Sequence, residues 1–220
     1  MAVLGLTTAL AMPLAHASYT AGGGVLQGTV LTRANNAIAI GSDGSTGSGS
    51  AATVAAGANG AIAIGGGASA SAADTVAIGN SAKANLQNGI AIGYNNNSYG
   101  LSAITIGSGS ASTGTGSLAV GNDAKATANN ATAVGAGNHD GNGASASANA
   151  ASAFGYIAKA QGSYSTALGT NSNAFTENAI ALGANTLASG AYAIAMGQGA
   201  KANSPGSIAL GRNSSAKNTQ

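Results

Sequence analysis

Ile38-Ala39-Ile40-Gly41 is the first of twelve short apolar motifs that end in glycine, and Ile208-Ala209-Leu210-Gly211 is the last. Between them lie, among others, Ile62-Ala63-Ile64-Gly65, Val76-Ala77-Ile78-Gly79 and Ile90-Ala91-Ile92-Gly93. Nine of the eleven intervals between closing glycines are 14 residues, and the other two, 24 and 20, are 14 plus insertions of ten and six. A fixed period of this length means a stacked repeat, so the chain reads as an array of coils and not as a globular enzyme.

The register within the unit fixes the secondary structure. Three and five residues after a closing glycine alanine dominates, as at Ala82 and Ala84 or Ala158 and Ala160, with a polar residue between. That alternation has the period of a strand. Next come Gly, Ser, Asn and Thr, residues that accept tight turns. The apolar motif follows, large–small–large, again with period two. Each unit therefore predicts two short strands and two turns, and the apolar spacing of two excludes helices. Coils stacked about 4.8 Å apart would pair each strand with its equivalent in the next coil and give two parallel sheets back to back. The turn asparagines Asn35, Asn36, Asn130 and Asn178 suit a left-handed backbone and side-chain ladders between coils.

The packing argument then assigns faces. The large Ile/Leu column is expected to fill the roll against the alanines of the other strand, large against small. The small residues between the apolar pairs (Ala39, Ala63, Ala77, Ala91, Ala119, Ala181, Ala195 and Ala209) would then form a flat, uncharged outer column. Such a column is a candidate subunit contact, because a solvated face would carry charged or larger polar groups. The inverse arrangement, with the Ile column outside and alanine filling the roll, stays open.

Composition sets outer bounds. The 220 residues hold 36 glycines, no cysteine, no tryptophan and a net charge of +2. So little charge does not point to nucleic acid or an anionic membrane, and the missing cysteines exclude disulfides and thiolate metal sites. Residues 1–17 read as a signal-peptide-like segment: Val3 to Leu14 is mostly apolar and Ala15-His16-Ala17 is an A-x-A-like exit. No Lys or Arg precedes the apolar run, so this segment is expected to be incomplete. Residues 18–34 form a lead-in, and 35–220 the repeats, with loops near 42–54 and 136–147 and a C-terminal truncation within a coil.

The motifs carry a resemblance. Asn35-Asn36-Ala37-Ile38-Ala39-Ile40-Gly41 and Asn178-Ala179-Ile180-Ala181-Leu182-Gly183 resemble the N-S-V-A-I-G-x-x-S head repeat of trimeric autotransporter adhesins, the YadA-like family. The resemblance covers roughly residues 35 to 217, with the serine position wandering among Ser42, Ser81 and Ser108. It implies an all-β solenoid, a left-handed parallel β-roll of about 14-residue coils that forms a homotrimer. It also implies export to the surface of a Gram-negative bacterium and attachment to host extracellular matrix, receptor or glycan, without catalysis. The family's stalk and β-barrel anchor have no counterpart in this sequence, so membrane attachment is expected only through an anchor outside it. In the trimer, the alanine column named above becomes the candidate trimer contact.

Other chemistries fit the residues poorly. The Gly-x-Gly pairs lack a strand–loop–helix context and a P-loop lysine, so turn glycine explains them. His139-Asp140 cannot make a metal site within one chain, and no nucleophile–base–orienter set exists for an enzyme. No cofactor is expected. Calcium β-rolls need regularly spaced aspartates, and hexapeptide solenoids need a six-residue unit. An ice-binding solenoid needs an outward Thr column, where this chain has Ser, Lys, Asn, Ala and Leu. A structural spacer of a surface fibre is the rival reading. One feature favours binding. Lys83, Lys125, Lys159 and Lys201 each fall four residues after a closing glycine and share one outward face as a candidate ligand ridge, although lysine also keeps exposed sheets soluble. Tyr94, Tyr99, Tyr156, Tyr164 and Tyr192 lie at or beside turns and could add contact area.

Overall fold

The computed structural model describes the backbone of residues 28–30 and residues 34–41, 51–138 and 141–217. The signal-like segment, His139 and Asp140 lie outside these. Every described element is a strand, and all pair in parallel. The odd-numbered strands, from β1 (Gly28–Val30) through β3 (Ala52–Val54) and β13 (Lys125–Ala126) to β25 (Ser215–Ala216), form a 13-stranded sheet. The even-numbered strands, from β2 (Ile38–Ile40) through β20 (Ile180–Leu182) to β24 (Ile208–Leu210), form a 12-stranded sheet. Successive strands thus alternate between the sheets, as expected of a solenoid with two strands per coil.

Register follows the repeat without slippage. Ala167 pairs with Ala181, Ala181 with Ala195 and Ala195 with Ala209, each fourteen residues on. Left-handed turns sit two and nine residues after closing glycines, at Ser81 and Asn171 and at Asn88, Asn130 and Asn178. Asn36 is left-handed as well, whereas Asn35 is not. Side-chain ladders join coils at some turns, as where Asn171 Nδ2 donates to Asn185 Oδ1 at 3.0 Å. The closing glycines serve the corner between the sheets. Gly169 has φ +131°, and the residue at this corner in each coil stacks directly on its equivalent in the next.

The core corrects the expected packing. Both inward faces are mostly alanine: Ala153, Ala167 and Ala181 of one sheet face a layer that includes Ala146, Ala160 and Ala174 of the other, all without accessible surface. Through most coils the two sheets approach closely enough that one methyl from each side fills the space, and a larger side chain opposite two alanines would overpack the interior there. The large members of the apolar motif therefore point outward. Ala63, Ala77, Ala91, Ala119, Ala181, Ala195 and Ala209 are buried within the single chain, and Ala39 packs half-buried on the same core. None is an outer column. The inverse arrangement is the one adopted.

Two alanine clusters, running from Ala52 to Ala91 and from Ala119 to Ala209, are separated by a polar section. Here Asn96, Ser98, Thr105, Ser110 and Ser112 take the inward positions and are fully buried. Each is hydrogen-bonded, which burial of polar groups requires. Asn96 Nδ2 donates to the carbonyls of Ile92 at 2.5 Å and Gly107 at 2.7 Å, and its Oδ1 accepts from Ser110 N at 2.9 Å.

Of the two expected loops, residues 42–50 and 139–140 lie outside the described residues, and the described far ends belong to strands. The stretch 42–54 ends in β3, where Ala52 and Val54 point into the core, and 136–147 ends in β15 (Ser145–Ala146). Both ends alternate inward and outward residues and so rejoin the ladder.

Candidate interaction surfaces

The outward face of the 12-stranded sheet carries two parallel columns of mostly large apolar side chains, one on either side of the buried, mostly alanine column. Ile180 and Leu182 flank Ala181, Ile194 and Met196 flank Ala195, and Ile104 and Ile106 flank Thr105. These side chains are half-buried or exposed in the single chain, while the residue between them has no accessible surface. Twelve strands at about 4.8 Å make a face about 55 Å long. Two columns about 7 Å apart, with the width of their side chains, give a contiguous apolar area of at least about 500 Å², the size at which an exposed patch marks an interaction site. No charged residue lies in either column among the described residues.

The opposite face is polar. Lys83, Lys125, Lys159 and Lys201 stand in one column of the 13-stranded sheet, joined through Asn97, Ala111, Ser145, Asn173 and Leu187 by the strand register. Their separations are three, two and three coils, or about 14, 10 and 14 Å. The described acidic residues, Asp74, Asp123 and Glu177, all sit at turns, and no ion pair holds any of the four lysines among the described residues. Lys125 Nζ donates to the Gly141 carbonyl at 2.8 Å, so the six-residue insertion engages one member of the ridge. The four lysines thus share one register position of the sheet.

The tyrosines lie along the roll's corners. Tyr94, Tyr164 and Tyr192 are the most exposed of them, at 60–63%. Tyr164 and Tyr192 adopt φ of +58° and +60°, a conformation that a bulky side chain takes at a cost. Sequence reading placed them at turns but had no signal for the left-handed backbone. No cluster of His, Cys, Asp or Glu with metal-binding geometry occurs among the described residues, and no helix there is long and apolar enough to cross a membrane.

A family model for the YadA head domain repeat, two copies long, matches residues 56–82, 112–138, 160–186 and 188–214. The chain carries YadA head domain repeats. Three of the matched stretches open on Ser112, Ala160 or Ala188, each five residues after a closing glycine, so the family repeat and the fold share one phase. The YadA head family is a family of adhesins and not of enzymes. No curated protein matches the chain.

Proposed function

We propose that this YadA-type roll is the head of a trimeric autotransporter adhesin, exported and displayed on the surface of a Gram-negative bacterium. The single observation that carries the reading is the two-column apolar face set opposite a polar, lysine-bearing one. Water would not be left against a face of this length in a monomer. Three copies joined through it would bury the Ile/Val/Leu columns and turn three lysine ridges outward. The outward surface would then attach to host extracellular matrix or to a cell-surface receptor or glycan, without catalysis. Lys83, Lys125, Lys159 and Lys201 are the contacts proposed for an acidic ligand, and the exposed tyrosines widen that surface.

The test is binding of the full chain to immobilised collagen, fibronectin, laminin and host cells, compared with a variant in which all four lysines are glutamine. Binding that the variant loses supports the adhesion reading and the ridge together. Equal binding by the variant moves the contact elsewhere on the head. Absence of binding to every surface favours a spacer that holds another domain away from the cell.

A further inference from the structure

A face made of nearly identical coils has a register problem. Sliding one copy along its neighbour by one coil, about 4.8 Å, returns Ile or Val against Ile or Leu at most heights. Something must make one alignment better than the next.

The pattern breaks at three consecutive coils. Thr132, Ser152 and Thr166 occupy the first outward column of the 12-stranded sheet, between Leu118 and Ile180. The second column at the same heights holds Val134, Phe154 and Leu168. Phe154 is the only aromatic residue in either column among the described residues, and it shares its coil with Ser152, the smallest. It is 37% exposed, so the single chain does not cover it. Nor does Phe154 fill the notch over its own Ser152, which lies two residues away along an extended strand, roughly 7 Å.

Within a closed three-fold ring the contacts are heterologous, so the first column of one copy meets the second column of the next. In register, Phe154 of one copy then sits over Ser152 of its neighbour, and the summed volume stays near that of the Thr166–Leu168 pair one coil further on. Contact between like columns would instead crowd three phenylalanine rings at one height and leave a void between three serines. A slip of one coil sets Phe154 against the larger Thr132 or Thr166 and leaves Ser152 facing Leu168 or Val134 across a gap. A slip of two sets the ring against Leu118 or Ile180. Because the three offsets of a closed ring sum to zero, a copy displaced by one coil carries a mismatch at both of its contacts.

We propose that Phe154 and Ser152 of adjoining copies form a knob and notch that set the axial register of the trimer. The inference rests on the trimeric reading above.

The chain has no cysteine, so pairs can be introduced as reporters. Ile194→Cys with Met196→Cys reports the in-register contact, and Ile194→Cys with Leu210→Cys reports a slip of one coil. Neither pair can close within a chain, because i,i+2 and diagonal Cβ atoms lie about 7 Å apart, beyond disulfide reach. In the otherwise native full chain, oxidation is expected to give covalent trimers from the first pair and none from the second. With Ser152→Ile and Phe154→Ile added, both pairs are expected to cross-link. A slipped reporter that stays silent in the double-Ile background overturns the proposal, as does one that reacts equally in the native background. Sedimentation of the same samples under reducing conditions separates the two levels. A trimer with the wrong cross-links overturns the register lock alone, whereas a monomer overturns the trimeric reading with it.

Discussion

A Cβ placed on Gly169 would stand 2.6 Å from the carbonyl oxygen of Gly183, its equivalent one coil further on. With φ +131° as well, Gly169 sits where a side chain is excluded twice over, by backbone conformation and by the neighbouring coil. Gly206 is a contrast: its φ is +66° and nothing lies within 4 Å of an added Cβ. Gly169→Ala is therefore expected to cost on the order of 2–6 kcal/mol, from strain and overpacking together. Gly206→Ala is expected to cost about 1–2 kcal/mol, from left-handed strain alone. Urea midpoints measure the difference, and equal midpoints would contradict the close stacking of the glycine corner.

Ala181 and Ile180 are sequence neighbours with opposite fates. Ala181→Lys puts a charge between two alanine layers, where an unpaired charge costs several kcal/mol, and is expected to unfold its coil. Ile180→Lys places the same charge on the outward column and is expected to leave the strand signal in circular dichroism intact while yielding monomers. A folded, trimeric Ile180→Lys protein would show that this face is not the subunit contact.

Asn96→Ala brings one coil to the residue that most others carry at its position, yet a loss of about 1–3 kcal/mol is expected. β8 (Ile90–Tyr94) runs two residues longer than the equivalent β6 (Val76–Ile78), and in this altered turn Asn96 serves two carbonyls and the Ser110 N–H. Thermal unfolding of the variant checks this, and an unchanged midpoint would mean that water replaces the amide there.

The solenoid was legible because glycine and apolar residues recur in fixed register, and no other architecture keeps a 14-residue phase over so many units. The direction of the apolar motif was not legible. Ile180-Ala181-Leu182 reads by the usual rule as two core residues around a surface one, since large apolar side chains ordinarily lie inside. That rule fails here because the interior is two methyl groups thick and the second hydrophobic surface is external. The clue lay in the other strand, whose paired alanines at Ala158 and Ala160 mark a thin interior that a small residue opposite suffices to fill. The lysine ridge was readable because it depends on phase alone, whereas the φ of Tyr164 and Tyr192 depends on coil closure, which the turn composition conceals.

Binding through the proposed ridge would carry a salt signature. Lysines without acidic neighbours on their own face are screened over about 8 Å at physiological ionic strength. Affinity of the full chain for an acidic surface is expected to fall several-fold between 0.05 and 0.5 M NaCl, on the order of the screening change in that range. The variant with glutamine at Lys83, Lys125, Lys159 and Lys201 is expected to bind weakly at both concentrations. Surface plasmon resonance on a sulfated glycan reads both effects, and salt-independent binding would argue for the tyrosine corners instead.

The central claim is that the Ile/Val/Leu face joins copies of this chain while the lysine face looks outward. Sedimentation equilibrium of the full chain tests it most directly. The account predicts a single species of three times the 20.4 kDa chain mass, reduced to 20.4 kDa by Ile180→Lys without loss of strand structure. A native chain that sediments as a folded monomer at micromolar concentration would contradict it.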